Sequence, residues 1–78
     1  MIGSRMECVA KARKLVRTFS SAPDSHRRAH EILHELARIQ GLGPAERSEI
    51  AAFGAWLAEK PSSGQLKARC EAVLARFK

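Results

Sequence analysis

The chain contains His30-Glu31-Ile32-Leu33-His34, a literal H-E-x-x-H inside the stretch "SHRRAHEILHEL", residues 25–36. The pattern marks zinc peptidases for a geometric reason. On a helix the two histidines lie one turn apart on the same face, where both imidazoles reach one ion, and the glutamate between them serves as general base. Hydrolysis asks for more: a third protein ligand, an open coordination position for water, and Glu31 aimed at that water. His26 extends the row, but eight residues at ~1.5 Å rise put it about 12 Å from His34, whereas ligands to one zinc lie ~2 Å from the metal. No histidine follows His34, so a third ligand would have to be Glu49, Glu59 or Cys70 on another element. The residues after the motif, "ELARIQGLG", do not supply the H-x-x-G-x-x-H continuation of the longer zinc signature.

A helical wheel gives the competing explanation. With the apolar face centred between Leu33 and Leu36, His26, His30 and His34 fall about 75°, 115° and 155° from it, a row running from the core boundary out to solvent. The expectation is boundary and surface histidines with no metal role, His30 and His34 being the only metal candidates. No cofactor is implied. Protonation of the row beside Arg27 and Arg28 would add positive charge near pH ~6.

The segment "ELARIQGLGPAERSEIAAF" has the outline of a helix-turn-helix, with Arg47, Ser48 and Glu49 positioned to meet base edges. Its second helix argues against that role. Residues 44–60 carry Arg47 and Lys60 against Glu46, Glu49 and Glu59, a net negative segment where a DNA reader needs donors for phosphates and bases. A hairpin of helices inside a bundle is the simpler reading.

The elements that position these residues are marked by their own start signals. Ser4-Arg5-Met6-Glu7 and Ser21-Ala22-Pro23-Asp24 have the form of capping boxes, Gly43-Pro44 pairs a glycine cap with proline at the first helical position, and Ser62-Ser63-Gly64-Gln65 is S-x-x-Q. Helix periodicity follows each start. The predicted core faces are Cys8, Ala12, Leu15, Val16 and Phe19; Ala29, Ile32, Leu33, Leu36 and Ile39; Ile50, Phe53 and Leu57; and Leu66, Cys70, Val73, Leu74 and Phe77. No segment alternates as a strand would. Short connections rich in Gly, Pro and Ser favour antiparallel neighbours, so the fold class is all-α: a small four-helix bundle spanning one domain, residues 1–78, with residues 1–5 read as a head that carries no function.

Seventy-eight residues set a size at which a single core leaves only a few kcal/mol of net stability. The charge is +6 and the pI about 10.2, from nine arginines and five lysines against eight acids, which points to acidic partners. Cys8 and Cys70 sit in no metal-ligand or redox spacing, no apolar leader precedes them, and no apolar run approaches the ~20 residues of a membrane span. A cytoplasmic protein with reduced thiols is expected. In an antiparallel pair of first and last helices, residue 8 would stand level with about residue 75, leaving Cys70 offset by ~7.5 Å along the axis, too far for a disulfide.

Charge is unevenly spread along the chain. The first helical segment carries Arg5, Lys11, Arg13, Lys14 and Arg17 against Glu7, and the last carries Lys67, Arg69, Arg76 and Lys78 against Glu71. As neighbours in the bundle they would form one basic surface, and the candidate partner-binding residues are Arg13, Lys14, Arg17, Arg69 and Arg76, with Trp56 as an interface anchor. An acidic patch on another protein is the first partner this suggests. Sequence-neutral nucleic-acid binding is the alternative, although the aromatics that stack on single-stranded bases are missing: there is no Tyr, and Phe19, Phe53 and Phe77 fall on core faces. A second copy of the chain is also compatible. Membrane binding is not expected, because it would spend Leu15, Val16 and Phe19 on lipid. The expectation is therefore a non-enzymatic interaction module, acting as a regulator, inhibitor or adaptor, since a domain of this size encloses no substrate cleft.

Overall fold

A computed structural model describes residues 5–77. Four helices follow in order, α1 (Arg5–Arg17), α2 (Ser25–Ala37), α3 (Pro44–Ala58) and α4 (Ser63–Leu74), with one 3-10 turn, Phe19–Ser21, between the first two. No strand occurs among the described residues. The helices form an antiparallel bundle in which α2 and α4 pack against each other across the centre and each also touches α1 and α3. The loops at 38–43 and 59–62 are short enough to force neighbouring helices antiparallel.

Two of the expected helix starts hold. Gly43 stands in extended backbone before Pro44, its N–H donating to Glu46 Oε1 at 3.4 Å, so the glutamate satisfies an otherwise orphaned amide. Behind α4, Ser62 is in the capping position, although its hydroxyl accepts no helix amide. The box at Ser4 lies outside the described residues. The start of α2 differs from the sequence reading. Ser21 closes the 3-10 turn, and α2 begins only at Ser25, with Asp24 as the cap and its carboxylate accepting the Arg27 amide at 3.2 Å. Aspartate caps as well as serine does, and the earlier amides are already committed, Ser21 N to Thr18 O at 3.0 Å and Ala22 N to Phe19 O at 3.1 Å. That tight turn also puts Phe19 into the core.

One continuous core joins Cys8, Val9, Ala12 and Val16 of α1 to Ala29, Ile32 and Leu36 of α2, Phe53 and Leu57 of α3, and Leu66, Cys70, Val73 and Leu74 of α4, with Phe19, Ile39 and Phe77 closing it from beyond the helix ends. Each large side chain buried this way stabilises the fold by ~1.5–3 kcal/mol relative to exposure. Three predicted core residues, Leu15, Leu33 and Ile50, are only partly buried. Cys8 and Cys70 are both buried, and no disulfide joins them.

Polar contacts fix the helix register at both ends. At one end the Arg5 guanidinium makes a two-point contact with the Glu46 carboxylate, Nη1 to Oε1 at 2.9 Å and Nη2 to Oε2, and lies 5.8 Å over the Phe77 ring, joining α1, α3 and the end of α4. At the other end His26 Nε2 stands 2.8 Å from the Pro61 carbonyl oxygen, and Arg28 donates from Nη1 to the Leu15 and Thr18 carbonyls, both at 3.1 Å, and to Thr18 Oγ1 at 2.8 Å. The first pair of contacts brings the start of α1 level with the start of α3. The second brings its end level with the start of α2, as an up-and-down bundle requires.

Candidate functional site

The histidine row stands as its helical spacing predicts, half-buried at His26 and exposed at His30 and His34. His26 spends Nε2 on the Pro61 carbonyl. Glu31 is taken by Arg28, whose Nε lies 3.1 Å from Oε1. Of the downstream residues that could complete a metal site, Glu49 pairs with Arg76 at 3.9 Å and Cys70 is in the core. Among the described residues, no three His, Cys, Asp or Glu come together as a set that could hold a metal ion. In the helix-turn-helix outline, Glu46 turns towards Arg5 of α1 and Glu49 towards Arg76 just past α4, and Arg47 lies exposed beside the hollow between Ile39, Leu42 and Ile50.

The basic residues sort into two groups. On α1, Arg5 is held by Glu46, and Lys11 Nζ lies 3.8 Å from Glu35 Oε2 of α2. Arg13, Lys14 and Arg17 are exposed and make no ion pair among the described residues. Arg69 of α4 lies 5.1 Å over the Trp56 ring and Arg76, just past the end of α4, reaches Glu49, so both arginines are turned towards α3. The side that α4 presents to α1 carries Glu71, Leu74 and Ala75 instead. The six expected partner-binding residues are thus divided: Arg13, Lys14 and Arg17 on the α1 side, Arg69, Arg76 and Trp56 on the α3 side. Trp56 is half-buried, stacked on Phe53 at 6.3 Å between ring centroids and covered by Arg69, the arrangement of an aromatic at the core boundary.

Between α1 and α4 runs an open furrow. Its main section, about 540 Å³, is bounded by Ala10, Arg13 and Arg17 on one wall and Glu71 and Ala75 on the other, with Val16 and Leu74 at the bottom. It continues past Ala10 and Arg13 into a second section of about 270 Å³ lined by Arg5, Met6, Val9 and Phe77. Small side chains at Ala10 and Ala75 leave it open. Met6, 81% exposed, is the one large apolar side chain standing in solvent among the described residues, and it lies at this end.

Two features escape a wheel drawn for one helix at a time. Glu35 lies about 105° from the centre of the α2 apolar face, yet it is only 8% exposed, because α2 has helices on both flanks. Lys11 and Arg38, the latter at 3.5 Å, supply its charge partners, and its carboxylate stands close enough to Cys8 to raise the thiol pKa, reinforcing the larger effect of burial. Burial likewise pushes the Cys70 thiol up to about 11, so neither sulfur is an activated nucleophile at neutral pH. Arg28, which reads as one more surface charge, is drawn across to the end of α1. The one available signal for it was Thr18 following Arg17, a helix end with uncapped carbonyls. Comparison with known protein families, curated proteins and solved structures gives no match to this chain.

Proposed function

We propose that the chain is a non-enzymatic interaction module that binds an acidic surface of a larger protein or assembly, as a regulator, inhibitor or adaptor. One observation carries the reading: the fold neutralises Arg5, Lys11 and Arg76 with its own carboxylates but leaves Arg13, Lys14 and Arg17 exposed and unmatched within five residues of one helix. Three like charges so close repel one another, and an acidic partner relieves that repulsion while matching the potential. The buried, protonated thiols suit a reducing compartment such as the cytoplasm. No helix among the described residues is long and apolar enough to cross a membrane.

Nucleic acid shares the sign of the expected partner, and salt separates the two. Each duplex phosphate neutralised releases condensed counterions, giving a slope of about −0.9 in log K against log[salt], so a duplex binder using both basic helices would show roughly −4 to −7. The test is an anisotropy titration of the chain onto generic duplex DNA over a salt series. Weak binding with a shallow slope is expected. A steep slope that Arg13→Glu with Arg17→Glu abolishes would overturn the protein-partner reading.

A further inference from the structure

We propose that the furrow between α1 and α4 docks one acidic amphipathic helix of a partner protein, its apolar face on the furrow floor and its carboxylates on Arg13 and Arg17. The inference rests on the reading of an acidic protein partner and names the place and form of the contact. Four observations converge on it. Arg13 and Arg17 lie one helical turn apart on the same wall, a spacing that matches carboxylates at i and i+4 of a helix lying alongside. The wall they form is otherwise small and apolar at Ala10, and the facing wall at Ala75, so a second helix can approach closely. Met6, solvent-exposed where the furrow meets the start of α1, provides an adaptable apolar contact of the kind grooves use to grip a helix. From Met6 to Arg17 the furrow runs eleven residues, or ~16 Å, about three turns of a bound helix.

The same geometry disfavours a polyanion. Glu71 stands on the α4 wall facing the arginines and would repel a phosphate backbone lying in the furrow, whereas a protein helix can place its acids on the α1 side and a neutral or basic residue against Glu71. An apolar floor adds nothing for phosphates. The furrow is therefore polarised, cationic on α1 and anionic at one point on α4, and that fixes how the bound helix is rotated about its axis.

The probes are three synthetic 18-residue peptides: a Leu-faced helix with glutamates flanking the apolar stripe, the same peptide with every glutamate replaced by lysine, and the glutamate peptide with two central prolines. Binding to the 15N-labelled full chain is read from amide shifts and titration. The glutamate helix is expected to bind and to shift Met6, Val9, Arg13 and Ala75, while the lysine peptide binds at least about tenfold more weakly, since two exposed ion pairs and their reversal are worth ~1–2 kcal/mol together, and the proline peptide, whose helix is broken, loses at least as much. Arg13→Glu with Arg17→Glu should weaken the glutamate helix by a similar factor. Ala75→Gln, an exposed position where added bulk fills the furrow without touching the core, should weaken it without changing thermal stability. If the peptide binds but shifts Trp56 and Arg69, and Ala75→Gln has no effect, the furrow is wrong while the acidic-partner reading survives. If the lysine peptide binds as well as the glutamate peptide, or the glutamate peptide fails to bind at about 1 mM, the inference is overturned; a steep duplex salt slope alongside would overturn the functional reading with it.

Discussion

Replacing Arg28 with alanine should destabilise the bundle by about 2 kcal/mol, although by sequence it is one of two adjacent arginines on a polar helix face. Its side chain is only 17% exposed and donates from Nη1 to the carbonyls of Leu15 and Thr18 and to Thr18 Oγ1, while Nε meets Glu31. A charge-assisted hydrogen bond contributes ~1.5–3 kcal/mol when its partner is shielded, a condition the partly buried bond to Leu15 meets. The two bonds to Thr18 are exposed, and water replaces them at little cost. A cation at the carboxyl end of α1 adds ~0.5 kcal/mol through the helix dipole. Those terms together give ~2 kcal/mol, equivalent to about 8–16 °C in Tm for a domain this small. Arg28→Lys keeps the charge but not the fork, so it should lose about 1.5 kcal/mol. Arg27→Ala is the control, an exposed neighbour expected to change stability by less than ~0.5 kcal/mol. Thermal and urea unfolding followed by circular dichroism provide the assay. Indistinguishable midpoints for Arg28→Ala and Arg27→Ala would mean that α1 ends without help from α2, and the capping argument would be wrong.

Two backbone substitutions should stabilise. A methyl at Gly54 would meet Leu33 Cδ2 at an ordinary 3.6 Å, so Gly54→Ala should gain up to ~1 kcal/mol of helix propensity, and Lys60→Gly should relieve the left-handed φ of 55° just past α3, both read from the urea midpoint. Hydrogen bonds from Arg5 hold the Glu46 carboxyl below its ordinary value of 4.5. A depressed folded-state pKa adds stability that is present above the unfolded value and lost as pH falls through the folded one, so as pH falls below 4.5 the wild type should lose stability faster than Glu46→Gln, and parallel pH profiles would contradict the pairing. His30→Ala with His34→Ala should leave folding unchanged, and calorimetric titration should detect no stoichiometric sub-micromolar zinc site in the wild type; such a site, lost in the double variant, would restore the metal reading.

Much of the fold was legible because it rests on local signals. Gly43-Pro44 announced α3 through a cap and a fixed φ, and the apolar period of α4 named all four of its buried residues together with Phe77 just past its end, since both signals depend only on neighbouring residues. The start of α2 was misplaced because two sets of capping residues, Ser21 and Asp24, compete within four positions and the choice is settled by where Phe19 must go. Charge was harder to read for the same reason. Summing charges along α1 and α4 identifies two basic helices, but not that Arg5 and Lys11 are matched by Glu46 and Glu35 from other helices, nor that Arg69 and Arg76 turn to α3. Pairings between residues as far apart as Arg5 and Glu46 depend on helix rotation in the bundle, which no single-helix wheel contains.

The claim that Arg13, Lys14 and Arg17 form a docking face for an acidic protein is tested most directly by capture from lysate. The wild-type chain and the Arg13→Glu, Arg17→Glu variant are immobilised in parallel, each lysate is divided with and without nuclease, and the retained proteins are quantified by mass spectrometry. The variant must first melt within about a kcal/mol of wild type, as solvent-facing substitutions generally do. The expected result is a defined protein partner, carrying an acidic helix or patch, that survives nuclease and is lost from the charge-reversed chain. Capture that disappears with nuclease, or that the variant retains in full, would contradict it.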